Sequence, residues 1–381
     1  MIPHFRNATG RSAFSSSRAA MRRSRSLIHV ASGSPARSAA SRKACFSDSD
    51  TRNSIYSSRG FFDLGRPAFA IRLLYQQKSG ERKIFLDTSG CCGYSNGMNR
   101  LNREKQVQVL KSLIEGNSIR ATVRLTGAAK DTVIKLLESV GAACADYQDK
   151  VLRNLTCKRV QCDEIWSFCY AKDKNVPAEK QGKFGFGSVW TWVAIDADTK
   201  LVPCWRIGDR NAWHAQHFMY DLASRLTHRI QLTTDGHRVY LQAVEQAFGE
   251  DIDYAMLVKL YGSDRGEGEV RYSPPDFVSC RAMPIVGKPD SKHISTSFAE
   301  RQNLSMRMHM RRFTRLTNAF SKKVDNLAYN LALYFMYYNF CRVHQTLRVT
   351  PAMEARVTDH VWEIEEILRM MDGKLKTENV A

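Results

Sequence analysis

Three carboxylates stand where the surrounding pattern is otherwise apolar or basic: Asp163, Asp235 and Glu300. Asp163 lies in the stretch R-V-Q-C-D-E-I-W-S-F at positions 159–168. A period of two puts Val160, Cys162, Trp166 and Phe168 on one face of a strand and Gln161, Asp163 and Ser167 on the other. A carboxylate in mid-strand loses hydration and must find a cation, a hydrogen-bond donor or a metal. Glu164 interrupts the alternation, and a register slip of one residue would exchange it for Asp163. Asp235 closes the apolar run R-I-Q-L-T-T at an Asp-Gly turn, and Glu300 opens a basic helix. If the first and fourth strands adjoin, the two aspartates meet at one edge of the sheet and the helix brings Glu300 across. Three carboxylates so close repel one another unless cations neutralise them. Hard oxygen ligands suit Mg²⁺ or Mn²⁺. Two such ions about 3.5–4 Å apart activate an attacking water or 3′-hydroxyl and stabilise the leaving oxygen of an in-line displacement.

Each acid also has a plainer reading. Ser297-x-x-Glu300 is a capping box, in which the Glu only satisfies helix-start amides. Asp235-Gly236 is a common turn, and strand acids often face solvent. Asp196 and Asp198 compete for the second carboxylate but fit a hairpin better. His237 and His293 stand near the acids as supporting or merely packing residues.

Basic side chains follow Glu300 closely: Arg301, Arg307, Arg311, Arg312 and Arg315. A basic helix beside an acidic metal site holds phosphates while the metals work. A second basic set lies upstream. Val107, Leu110, Leu113 and Ile114 give one amphipathic stripe that stops at Gly116. Ser118 can cap a short helix over 119–125, Thr126-Gly127 makes a turn, and a third helix opens near Ala128 and runs through Val140. That is a helix-turn-helix order. The third helix offers Lys130, Asp131, Thr132 and Lys135 to a major groove, and Arg120 and Arg124 on the second can clamp phosphates. The plain alternative is a three-helix bundle that docks on the next domain.

Residues 142–156 read as a helical tail or linker. The strands predicted after it are 159–168, 187–197 and 200–207, with a hairpin at Asp198-Thr199. Helix 211–226, strand 229–234, helix 237–248 and strand 252–260 follow. This order makes an α/β domain, a mixed sheet flanked by helices. Residues 262–293 read as a loop over the site, 295–315 as the basic helix, 322–340 as a long apolar helix and 361–371 as a last short one. Trp190, Trp192, Trp205 and Trp213 read mainly as core, with base stacking as the alternative.

The chain has 381 residues, a formal charge of +19 and 43% hydrophobic residues, enough for two or three domains and a polyanionic partner. Positions 1–97 carry net +11 and the remainder +8. The first 97 residues are Ser- and Arg-rich, with no acid before Asp48. They read as a disordered basic leader: a transit peptide, a DNA-binding arm, or sequence upstream of a true start at Met98. Residues 61–86 are apolar enough for isolated strands. Ten cysteines without a C-x-x-C pair read as reduced, small apolar residues. No apolar run reaches the ~18 residues that span a bilayer.

On these residues the chain resembles the DDE transposase and retroviral-type integrase superfamily, and bacterial insertion-sequence transposases most of all. S-F-A-E-R-Q-N-L-S-M-R at 297–307 is similar to their third-carboxylate helix, with Arg307 at the basic position seven residues after Glu300. Y-N-F-C-R-V-H-Q-T-L-R-V-T-P-A-M at 338–353 is similar to the tail of the integrase core. The resemblance covers roughly 98–355. It departs where 65 positions separate Asp235 from Glu300, which implies an insertion near 262–292. It implies a ribonuclease H-like catalytic domain over 151–355, after a helix-turn-helix domain at 98–150 and before a helix and tail at 356–381. Asp163, Asp235 and Glu300 would hold two Mg²⁺ or Mn²⁺ ions, and Arg307 would contact DNA near the end of the element. The implied partners are double-stranded DNA, as terminal inverted repeats and target, and further copies of the chain. The implied place is the bacterial cytoplasm, at the nucleoid, without a membrane. A non-catalytic helix-turn-helix DNA-binding protein and a ribonuclease H-like nuclease are the alternatives.

Overall fold

The structure is a computed structural model that describes residues 101–262, 277–314 and 319–373, with Tyr261 described by its backbone alone. The leader at 1–97, the start at Met98, the strands expected at 61–86, Arg315 and the final tail lie outside the described residues.

Three helices come first: α1 (Arg103–Ile114), α2 (Ile119–Thr126) and α3 (Lys130–Val151). Asn102 and Ser118 accept from the amides of Lys105 and Ala121 and start the first two. Gly127 ends α2 at φ +68°, a left-handed position that favours glycine. Residues 142–156 read as a helical tail or linker, and the helical option holds as far as Val151: α3 runs unbroken through Gly141 for 22 residues. The reason is contact. Gly141 faces the backbone of Tyr329, where a side chain would not fit.

A six-stranded mixed sheet follows: β1 (Arg159–Cys169), β2 (Gly187–Asp196), β3 (Trp205–Gly208), β4 (Gln231–Asp235), β5 (Asp253–Tyr261) and β6 (Phe277–Val286). Their order is β3-β2-β1-β4-β5-β6. β1, β2 and β3 pair antiparallel, β4 and β5 continue parallel to β1, and β6 returns antiparallel. The expected third strand is shorter than its sequence suggested. The turn takes Lys200, at φ +61°, and beyond it the Asn339 side chain takes both the amide and the carbonyl of Val202 while Pro203 has no amide to donate, so regular pairing resumes only at Trp205. The region expected to be a loop over the site contains β6, which the Gly- and Pro-rich flanks concealed.

Helices α4 (Ala212–Ala223) and α5 (Val239–Phe248) cover one face of the sheet. Helices α6 (Ser297–His309) and α7 (Val324–Met336) cover the other. Both faces of β1 are therefore buried, with Val160 and Cys162 toward the first pair and Ile165 and Cys169 toward the second. α3 lies against the outer side of α7, and Gln148 donates to the Ala332 carbonyl across that contact at 3.0 Å. α7 continues into a wider turn at Tyr337–Cys341. There Asn339, fully buried, clamps the Val202 backbone with two hydrogen bonds of 3.0 Å. Short α8 (Pro351–Glu354), capped by Thr350, and α9 (Ile364–Met371) close the first core. Among the described residues no helix is long and apolar enough to cross a membrane.

Candidate functional site

The site forms where two parallel strands part. β1 and β4 pair as far as Cys162 and Thr234. The next residues are Asp163 and Asp235, at the carboxyl end of β4, where open α/β sheets leave a crevice. The expected adjacency of these strands is therefore present, and the two aspartates stand side by side. One oxygen from each of Asp163, Glu164 and Asp235 lies within 4.8 Å of the others.

Asp163 leaves β1 on the face crossed by α6. Its Oδ1 accepts from the Glu164 amide at 2.8 Å and its Oδ2 from Asn303 Nδ2 at 2.9 Å. Burial, and then repulsion from Asp235, push its pKa up to about 6 against those two hydrogen bonds, with Glu300 adding a smaller push. Glu164 leaves on the opposite face, toward α5. Burial and Asp235 push it up to about 8, opposed by the Tyr240 hydroxyl and Arg210. That hydroxyl is close enough to act on Glu164 but falls short of hydrogen-bond geometry, and Glu164 Oε1 has no partner among the described residues. Arg210 joins two acids, with Nε donating to Glu164 Oε2 at 3.1 Å and Nη2 to Asp235 Oδ2 at 3.3 Å. Its guanidinium lies over the Trp190 ring, 4.9 Å from the centroid. The His237 amide donates to Asp235 Oδ1 at 3.1 Å, so the Asp-Gly turn also exists as read.

Glu300 is on α6, across the crevice from β1, but outside the compact group of three. It forms an ion pair with Lys259 of β5 and accepts from the Thr296 hydroxyl at 2.5 Å. It does not close a capping box with Ser297. The start of α6 is capped from the sheet, by Gln161 Oε1, which accepts from the amides of Phe298 and Ala299 at 2.8 and 3.3 Å. One strand thus carries both the acid and the residue that docks the facing helix onto it. Asn303, one turn beyond Glu300, then reaches Asp163.

The competing acids have structural work: Asp196 holds its hairpin and Asp198 pairs with Arg159. His293 pairs with Asp290, and His237 stacks on Trp192, itself fully buried. Of the upstream basic set, Arg120, Arg124, Lys130 and Lys135 are exposed and Thr132 half-buried. On α6 and just beyond it, Arg301 and Arg311 are exposed and Arg307 is half-buried. Sequence reasoning passed over Arg210, Asn303 and Lys259. Asn303 carried a usable signal, three residues after Glu300 on the same helix face. Arg210 carried none, since only chain folding brings the turn after β3 to the site.

The donor set fits a hard divalent cation: clustered carboxylate oxygens, one of them buried and unpartnered, with no thiol among them. No protein-family model matches the chain, and no curated protein matches it. Among solved structures, a cryo-EM synaptic complex of the piggyBac transposase with hairpin DNA is similar with a TM-score of 0.33 and 8% sequence identity, over 74% of this chain and 74% of that one.

Proposed function

We propose that this chain is a DDE transposase, which cuts the ends of an insertion element and joins them to target DNA with divalent metal. The observation that carries this reading is the parallel β1–β4 pair, which sets Asp163 beside Asp235 under a helix that bears Glu300. The strand order, three antiparallel strands followed by two parallel ones, supports a ribonuclease H-like catalytic domain over 151–355. The capped starts of α1 and α2 and the Gly127 turn before α3 support a helix-turn-helix domain at 98–150, which would bind the terminal inverted repeats as a homo-oligomer on paired ends.

Asp163, Asp235 and Glu300 would hold two Mg²⁺ or Mn²⁺ ions. Bound there, the ions would supply Lewis-acid activation of the attacking hydroxyl and neutralise charge on the departing oxygen. The protein's own part is to hold and orient. Asn303 and the Glu164 amide fix Asp163, the Asp235-Gly236 turn fixes Asp235, and Gln161 fixes the helix of Glu300. Arg301, Arg307 and Arg311 would hold phosphates beside the acids, while Arg120, Arg124, Lys130, Thr132 and Lys135 grip the duplex upstream.

The test is strand transfer with oligonucleotides that carry the element's ends. Asp163→Ala and Glu300→Ala should keep DNA binding and lose Mg²⁺- or Mn²⁺-dependent cleavage and joining. Unchanged joining in either variant sinks the reading. Specific binding without nicking by the unaltered chain would make it a non-catalytic DNA-binding protein, and cleavage of RNA–DNA hybrids without joining a nuclease.

A further inference from the structure

Adjacent residues on a strand leave by opposite faces. Asp163 therefore faces α6, and Glu164 faces away, sealed under α5 with its side chain 1% exposed. Their oxygens nonetheless gather with Asp235, because the site sits where β1 and β4 separate. Two further atoms point to a ligand. Glu164 Oε1 is buried without a partner among the described residues. So is Oδ1 of Asn303, a residue 3% exposed that holds Asp163 through its amide nitrogen. Every one of these groups offers oxygen. The cation that meets them is Arg210, which spans Glu164 and Asp235 and rests on Trp190. Arg210 holds Oε2 of Glu164 and Oδ2 of Asp235, so its charge competes with a divalent ion for the same two acids.

We propose that Glu164 is a metal-ligating carboxylate of this centre and that Arg210 is its exchangeable counter-cation, so that metal is taken up as Arg210 lets go. This rests on the metal-dependent reading above and extends it to an acid on the other face of β1. Trp190 is what makes the exchange reversible, since it keeps the guanidinium at the rim when the carboxylates release it.

The experiment is Mn²⁺ binding to the full chain without DNA, followed by titration calorimetry and by the Mn²⁺-induced rise in unfolding temperature, at one fixed pH. E164Q keeps the shape of the side chain and should weaken Mn²⁺ at least about tenfold. R210Q should bind Mn²⁺ several-fold more tightly than the unaltered chain and show a larger thermal rise. The double variant should bind no better than E164Q. Equal affinity in E164Q, or a double variant as tight as R210Q, overturns Glu164 as a ligand. An R210Q variant no tighter than the unaltered chain overturns the exchange. If D163N and D235N lose Mn²⁺ while E164Q does not, the metal reading stands and this inference falls. No Mn²⁺ binding by the unaltered chain or R210Q removes both.

Discussion

Replacing Gly141 by alanine should destabilise the protein, although alanine is the better helix former. Gly141 is buried in the middle of α3, and a Cβ there would lie 2.5 Å from Tyr329 Cβ, 2.6 Å from its Cα and 2.7 Å from its carbonyl oxygen. Ordinary contact begins near 3.4 Å. Two of the three atoms are backbone, so no rotamer of Tyr329 relieves the clash, and α3 must move away from α7 by about 1 Å. That movement stretches the bond from Gln148 to the Ala332 carbonyl. Overpacking of this kind costs about 1–3 kcal/mol. A glycine-to-alanine change in an unobstructed helix would instead gain up to about 1 kcal/mol. The two effects have opposite sign, which makes the measurement decisive. Urea denaturation followed by circular dichroism should show a lower midpoint for Gly141→Ala. Ala142→Gly, exposed on the same helix, should lose about 1 kcal/mol from propensity alone. A Gly141→Ala midpoint equal to or above that of the unaltered chain would refute the close-contact account.

Three other perturbations follow from named contacts. Gln161→Ala removes the acceptor for two amides of α6 and should cost about 1–2 kcal/mol, read as a lower denaturation midpoint with faster exchange of the Phe298 and Ala299 amides. Asn339→Ala leaves the buried Val202 amide and carbonyl without partners and should cost about 2 kcal/mol or more, read by the same denaturation. His214 is buried, and burial, then Arg206 and His217, depress its pKa to about 3. Below about pH 6.5 the unfolded chain takes up a proton that the fold refuses, so His214 contributes stability above that pH and loses it as pH falls toward 3. The loss approaches about 1.4 kcal/mol per pH unit at most. Stability measured from pH 7.5 to 4.5 should decline more steeply in the unaltered chain than in His214→Gln, and parallel declines would count against it.

Legibility in the sequence followed locality. Asp163 and Asp235 stand out because a strand's period and an Asp-Gly turn are local signals, and the β1–β4 pairing then sets them together. The helix caps at Ser118 and Thr350 were local too. Glu164 was visible only as a blemish in an alternation. Its meaning depends on what lies under β1, which is Tyr240 from α5 and Arg210 from a turn 46 residues on. Glu300 stood out as the acid at the start of a basic helix, but its ion pair with Lys259 comes from a strand 41 residues away in sequence. The capping box at Ser297 was a fair local reading that a distant glutamine displaced. β6 was hidden by proline and glycine in and around it, and the continuity of α3 by a glycine whose reason lies on another helix.

That continuity turns α3 into a ruler. Twenty-two residues at 1.5 Å each make a rod of about 33 Å, with Lys130 at one end and the half from Gly141 to Gln148 packed against α7. A single residue inserted before Gly141 would advance the first turns by about 1.5 Å and swing them by about 100°. The interval between the turn at Gly127 and the helix layer on the sheet is then a property of one helix's pitch, and under the function proposed above that interval would set the spacing between a gripped and a cut stretch of duplex.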